Sequence, residues 1–329
     1  MQRVMASFDI HGLPRIATLG QLAEHSGLTT QHLWYLAFSG HRAYTAFYVP
    51  KKAGGSRLIE RPTPALCVIQ RWILRNILDR LQTTRHSFGF ERGSRLRLHA
   101  EQHVGARAVL TLDIKNFFPS ISIAQVTRVF LVAGYSSSAA SNLARLCTSR
   151  GALPQGAPTS PRLANLVCFR MDRRLSAFSE RRGITYSRYA DDMSFSGGSA
   201  DVLAKCRPFL THIIRDSGFR LNGSKCRLVG PQGTKTVTGL VLADDTVGIG
   251  RRRLRDLRVR IQRAHGAHDS SSVGALQGWL DYVSDADPSR YQALVRYIER
   301  LRGSREGSGV ASLRLRVPVR EDATEERRT

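Results

Sequence analysis

The sequence predicts an α+β fold, and three stretches carry the prediction. Around Tyr189-Ala190-Asp191-Asp192, the residues Ile184, Tyr186 and Tyr189 sit among Thr185, Ser187 and Arg188, and Met193 and Phe195 alternate with Ser194 and Ser196. That period-two pattern reads as a half-buried β-hairpin over 184–196 with the two acids at its tip. A strongly apolar strand covers 108–114 and contains a single acid, Asp113. Leu66, Ile69, Ile73, Ile77 and Leu81, spaced three to four apart after Pro64, mark an amphipathic helix.

The chain has 329 residues, enough for one large domain or two to three smaller ones. Its 42% hydrophobic content is ordinary for a globular protein, but 50 Lys and Arg against 26 Asp and Glu give a formal charge of +24. Such an excess calls for a polyanionic partner, because each phosphate neutralised releases counterions. Nucleic acid is preferred over an anionic membrane: no segment approaches 18 consecutive apolar residues, and no lipidation or signal pattern is visible. Five scattered cysteines with no C-x-x-C pair read as buried thiols of a reducing, cytoplasmic compartment.

Along the chain, 1–45 reads as short helices. Within them 21–33 resembles a helix-turn-helix, with Gly27 at the turn and Leu22, Leu28 and Leu33 inward, but it carries almost no positive charge. Residues 47–60 read as strand, Gly54-Gly55 turn and strand. A loop at 86–94 precedes the apolar strand, 122–149 reads as helical, 151–161 as a Gly/Pro-rich loop, and 162–182 and 200–217 as helices. Past 250, Leu254, Leu257 and Ile261 form an apolar stripe on a helix otherwise studded with arginines, and a further helix covers about 288–302. From 303 the composition suggests a frayed or disordered tail, with a short strand conceivable over 313–319.

Adjacent carboxylates repel each other and add nothing to a core. Taken alone, Asp191-Asp192 is also what a solvated turn looks like, and Asp113 what a capping or salt-bridged residue looks like. Taken together they suit nucleotidyl transfer, in which two metal ions are held between carboxylates at one strand end and on a neighbouring hairpin. Between the acids, Pro154-Gln155-Gly156 combines rigid and permissive residues just before a helix, suited to close approach of a base pair. The same loop also serves simply to start the helix, with Ser160 as N-cap and Pro161 at the first helical position.

In this order, the strand with Asp113, the Pro154-Gln155-Gly156 loop and Tyr189-Ala190-Asp191-Asp192 resemble the central motifs of reverse transcriptases. The resemblance covers about 45 to 300. Arg57-Leu58-Ile59-Glu60-Arg61-Pro62 is similar to the fingers segment, and Leu221-Asn222-Gly223-Ser224-Lys225 to the next palm motif. Retron-type enzymes fit best. Val237-Thr238-Gly239 matches their Val-Thr-Gly signature, and Ala100 to His103 resembles the end of their Asn-Ala-x-x-His element, with His99 standing where asparagine is expected. Gly278-Trp279-Leu280-Asp281-Tyr282 resembles their thumb.

The resemblance implies a right-hand polymerase. It would have an N-terminal helical segment (1–45), fingers (46–107), a palm (108–245, with a fingers insertion at about 122–150), a thumb (246–303) and a tail (304–329). Asp113, Asp191 and Asp192 would hold two Mg²⁺. Arg57, assisted by Lys51 or Lys52, would clamp the triphosphate, Phe118 would exclude a ribose 2′-OH, Gln155 would touch nucleotide or template, and Lys225 would lie near the leaving phosphate. Tyr189, His103, Val237, Thr238, Gly239, Arg251, Arg255 and Arg258 would contact RNA or primer. The implied partners are dNTPs, a structured noncoding RNA primed from a 2′-OH, its cDNA (msDNA), a locus-encoded effector in antiphage defence, and a host RNase H. A group II intron or diversity-generating enzyme shares the palm. A non-catalytic RNA-binding scaffold or a helix-turn-helix regulator would leave the three acids idle.

Overall fold

The structure is a computed structural model that describes residues 12–51, 54–91, 93–266, 273–303 and 309–315; Lys52 and most of the expected tail lie outside them. Contacts divide the chain into two compact units: 1–92, 110–195 and 201–227 form the first, and 93–109, 196–200 and 228–329 the second.

The first unit opens with α1 (Leu19–Ser26) and α2 (Thr30–Phe38), N-capped by Thr18 and Thr29 and separated by Gly27 in the left-handed region at φ 71°. Leu22 and Leu33 are buried as expected, while Leu28 is half-buried. β1 (Tyr44–Pro50) and β2 (Ser56–Pro62) form an antiparallel hairpin, and Gly54 and Gly55 at φ 88° and 77° supply its turn. α3 (Pro64–Asn76) buries Leu66, Ile69 and Ile73; Ile77 and Leu81 are buried just beyond its end.

α4 (Leu96–Glu101) precedes β3 (Ala108–Asp113), which is apolar and buried almost throughout. The expected helix over 122–149 is in fact two, α5 (Ile123–Val132) and α6 (Ser137–Cys147). Gly134 at φ 96° ends the first turnably and Ser136 caps the second, so local turn chemistry overrides the continuous apolar pattern. α7 (Ser160–Glu180) follows the Gly/Pro loop, then β4 (Thr185–Tyr189), β5 (Asp192–Gly197), α8 (Ala200–Asp216) and β6 (Arg227–Val229). β3 to β6 make a four-stranded sheet in the order β4-β5-β3-β6, which sets the strand bearing Asp113 beside the hairpin bearing Asp191 and Asp192. The hairpin is not half-buried as the alternation suggests. Ser187, Arg188, Ser194 and Ser196 are as buried as Tyr186, Met193 and Phe195.

The second unit holds α4 and a three-stranded antiparallel sheet of β7 (Thr236–Val237), β8 (Leu240–Leu242) and β9 (Val247–Gly248). Three helices follow, α9 (Gly250–Gly266), α10 (Val273–Ala286) and α11 (Pro288–Arg302). Leu257 and Ile261 of α9 enter the core with Leu280, Leu294 and Ile298, and Leu254 packs against it. Residues 93–107, which the motif order assigns to fingers, belong to this unit: Ala100 joins its core, with Leu96, Val104 and Ala106 packed against it. Residues 309–315 depart from the expected frayed end. Gly309–Ser312 forms a 3₁₀ turn, Val310 and Leu313 are buried in the same core, and Leu315 packs against it, because this stretch still offers apolar side chains to cover it. No helix among the described residues is long and apolar enough to cross a membrane.

Candidate active site

The first unit gathers the three acids. Asp113 ends β3 and is only 4% exposed, a costly place for a carboxylate without a cation. Lys225, in a 3₁₀ turn at 223–225, donates from Nζ to Asp113 Oδ2 at 2.8 Å. Backbone bonds lock the neighbourhood: Ile114 N–H donates to the Asp191 carbonyl at 3.1 Å, and Asn222 N–H to the Asp113 carbonyl at 2.8 Å. The β3 end, the hairpin tip and the lysine turn are thereby fixed to one another.

The electrostatics follow from that crowding. Burial raises the Asp191 carboxyl above its usual range and Asp113 adds repulsion, while Lys225 and Arg57 oppose the shift. Asp192 is pushed up to about 6, first by the surrounding protein and then by Asp191 and Asp113. The Lys225 ammonium is raised, chiefly by its hydrogen bond to Asp113. Three carboxylates therefore share too little positive charge.

Among the described residues, no group of three or more His, Cys, Asp or Glu forms a ready metal cage. Mg²⁺ is usually held through one or two carboxylates, water and substrate phosphates, so a preformed all-protein cage is not required. The hard oxygen donors and the unrelieved repulsion of Asp113, Asp191 and Asp192 fit cations that arrive with a triphosphate.

Other expected residues belong to the same unit. Arg57 is exposed on β2 and close enough to Asp191 to influence its charge. Lys51 is exposed at the hairpin turn. The Gln155 carbonyl accepts from Glu60 N–H at 2.9 Å, docking the Pro154-Gln155-Gly156 loop onto the strand that carries Arg57. Gly156 has φ 126°, and a Cβ there would meet the Glu60 carbonyl oxygen at 3.0 Å, so this contact requires glycine. Ser160 does not act as the N-cap. Thr159 holds that position without a side-chain bond, Ser160 and Pro161 are the first two helical residues, and Ser160 Oγ donates back to the Pro154 carbonyl at 2.7 Å. Phe118 is half-buried in the 3₁₀ turn Phe118–Ser120, whereas Phe117 beside it is the core residue. Tyr189 is half-buried at the end of β4.

A second layer escaped the sequence reading. Arg188 is 0% exposed and grips Asp172 of α7 through two bonds, Nε to Oδ1 at 2.8 Å and Nη2 to Oδ2 at 2.7 Å. Its Nη1 also donates to the Ala190 carbonyl at 3.0 Å and to Asn165 Oδ1 at 3.1 Å. Tyr186 Oη donates to the same Asp172 at 2.8 Å. This network holds the hairpin tip from beneath, where Ala190 adopts φ 56°, a left-handed conformation that residues other than glycine seldom take. The signal was present: Arg188 shares strand parity with Ile184 and Tyr186, a buried position for a charge. Asp172 likewise interrupts the apolar face of α7 between Cys168 and Leu175.

In the second unit the expected RNA-contacting residues separate. Thr238 and Gly239, at φ 46° and 83°, form the two-residue turn between β7 and β8, and Gly239 is exposed. Val237 and His103 are contrary to expectation. Val237 is wholly buried, and His103 is 1% exposed with Nδ1 2.7 Å from Ser196 Oγ, its pKa lowered to about 4 by burial. Neither side chain offers a surface to RNA; a neutral imidazole and an isopropyl group are burial-compatible and pack the unit instead. His99 Nδ1 lies 3.3 Å from Thr238 Oγ1, linking the element with the unexpected histidine to the Val-Thr-Gly turn. Arg251, Arg255 and Arg258 are exposed at spacings of four and three, forming one cationic stripe on α9. Arg253, by contrast, turns back to the Gly239 carbonyl at 2.8 Å.

An acid-bearing strand beside an acid-tipped hairpin, with Arg57 and Lys225 supplying positive charge, defines the palm of a nucleotidyl-transferring polymerase. The chain belongs to the reverse transcriptase (RNA-dependent DNA polymerase) family, whose model matches residues 49–242, and within that family to the retron type. The retron Ec86 reverse transcriptase of Escherichia coli is 35% identical over 88% of this chain and 91% of its own. The retron Mx65 and Mx162 enzymes of Myxococcus xanthus are 34% and 30% identical, covering 87% and 88% of this chain and 72% and 68% of theirs. Among solved structures, the telomerase of Candida albicans aligns at a TM-score of 0.48 and 12% identity, over 79% of this chain and 56% of that one. Reverse transcriptases use divalent metal ions.

Proposed function

We propose that this enzyme copies part of a structured noncoding RNA into single-stranded DNA, primed from an internal 2′-OH to give a branched RNA–DNA, with Asp113, Asp191 and Asp192 as the metal-holding triad. The observation that carries the reading is the convergence of those acids with Lys225 and the strand that holds Arg57. Two Mg²⁺ ions, when bound, would lower the pKa of the attacking hydroxyl and neutralise the departing pyrophosphate. The chain's own residues do the rest. Asp113 and Asp191 present oxygens from two backbones tied by the Ile114–Asp191 bond. Arg57 grips the triphosphate through its fork geometry, with Lys51 assisting. Lys225 neutralises Asp113 before substrate arrives and then turns to the leaving phosphate, to which it can give a proton. Phe118 meets a ribose 2′-OH, Gln155 meets the nucleotide or template, and Tyr189 lies under the primer end. The Thr238-Gly239 turn and the arginine stripe of α9 contact RNA backbone without reading sequence.

On this reading, the enzyme works in the cytoplasm in antiphage defence, with an effector from the same locus and a host RNase H that trims the template. Sequencing the nucleic acid that co-purifies with the protein tests the proposal. A discrete branched RNA–DNA whose junction is a 2′-linked nucleotide is expected. Only linear products, or a broad sample of cellular RNA, would contradict it.

A further inference from the structure

The loop at 86–91 is not accounted for by the catalytic roles above, and its geometry is unusual. Phe90 is a bulky residue in the left-handed region at φ 64° and is 44% exposed, so neither backbone preference nor burial explains its position. The loop that carries it is pinned on both sides. Phe88 N–H donates to the Arg188 carbonyl at 2.8 Å, and Asn165 Nδ2 donates to the Gly89 carbonyl at 2.7 Å and to Glu91 Oε1 at 2.8 Å. Arg162 of α7 also pairs with Glu91. Gly89 packs directly on the acid-bearing turn: a Cβ there would lie 2.6 Å from the Ala190 nitrogen. Between these anchors, the Phe90 side chain has a ring neighbour. That neighbour is Phe118, at 5.9 Å between centroids and 45° between planes.

We infer that Phe90 is a specificity-determining residue that braces Phe118 through ring contact and so sharpens discrimination between deoxy- and ribonucleotides. Phe118 has only half-buried surroundings and two ring contacts, Phe117 at 5.4 Å and Phe90 at 5.9 Å. A gate excludes a hydroxyl only as firmly as its ring is held, because a ring free to rotate yields to a single oxygen atom. The strained φ of Phe90 points the same way, since such conformations persist where surrounding structure fixes them for a task. The inference rests on Phe118 being the sugar gate of the proposed polymerase.

The test measures kcat/KM for a dNTP and the matching rNTP on a primed RNA template, for wild type, Phe90→Ala, Phe90→Leu, Phe118→Ala and the double Ala variant. Phe90→Ala is expected to lower the dNTP/rNTP ratio by about 3- to 10-fold, with Phe90→Leu between it and wild type. The double variant should be no more permissive than Phe118→Ala, because Phe90 acts through that ring. The ratio cancels any general loss of folded enzyme. If Phe118→Ala relaxes the ratio while both Phe90 variants stay at the wild-type value, or if the two effects multiply in the double variant, the bracing role is wrong. If Phe118→Ala itself leaves the ratio unchanged, the gate reading fails and the inference with it.

Discussion

At the scale of single residues, the hairpin tip shows how a fold supports acids that oppose it. Arg188 and Asp172 are both fully buried and neutralise each other through a bidentate pair, while one guanidinium nitrogen remains for the Ala190 carbonyl. Breaking such a pair leaves a buried charge unmatched. Arg188→Met should therefore cost about 3–5 kcal/mol of stability in urea unfolding. Adding Asp172→Leu should recover part of that loss but not the polymerase rate, since Ala190 still lacks its donor; full recovery of rate would show that the network is structural only. Asp192 gives the opposite sign. Its folded pKa of about 6 lies above that of an unfolded aspartate, so its favourable contribution is present below pH 4 and is lost as pH rises through 6. Asp192→Asn should then raise the melting midpoint at pH 8, by on the order of a degree because the side chain keeps solvent contact, with less effect at pH 4. A lower midpoint at pH 8 would contradict the repulsion described here.

At the scale of elements, what the sequence made legible depended on periodicity. The hairpin, α3 and α9 follow from the spacing of their apolar residues, and the strand ending at Asp113 from a nearly unbroken apolar run. The split of 122–149 into α5 and α6 depended instead on Gly134 and Ser136, turn chemistry that an apolar pattern masks. The burial of both hairpin faces was hidden because Ser187, Ser194 and Ser196 occupy positions that the alternation marks as a polar face. α9 carries a testable consequence. Its Arg251, Arg255 and Arg258 stripe is exposed, while Leu257 and Ile261 hold another face in the core. Replacing all three by Gln should make the log–log salt dependence of RNA binding shallower by about 2 to 3, one increment per lost phosphate contact. A slope unchanged by the triple variant would mean that this stripe does not meet RNA.

At the scale of the whole molecule, the order of motifs identified the polymerase family before any contact was visible, and relatives such as the retron Ec86 enzyme agree with it. The triad was legible because three acids in unlikely places are hard to explain by folding. The supports of the triad were not, because Lys225 lies 112 positions from Asp113 and Arg188 meets Asp172 only through tertiary packing. The burial of His103 and Val237 was hidden for the same reason: a motif marks that a residue matters, and only packing shows where its side chain lies. The central claim is that Asp113, Asp191 and Asp192 carry nucleotide transfer. Primer extension on an RNA template with dNTPs, with Mg²⁺ and with the metal chelated, measures it directly in wild type and in Asp191→Asn with Asp192→Asn. Extension only in the wild type with Mg²⁺, and a fall of at least about 1,000-fold in the double variant, is the predicted result. Extension that survives in the double variant would contradict it.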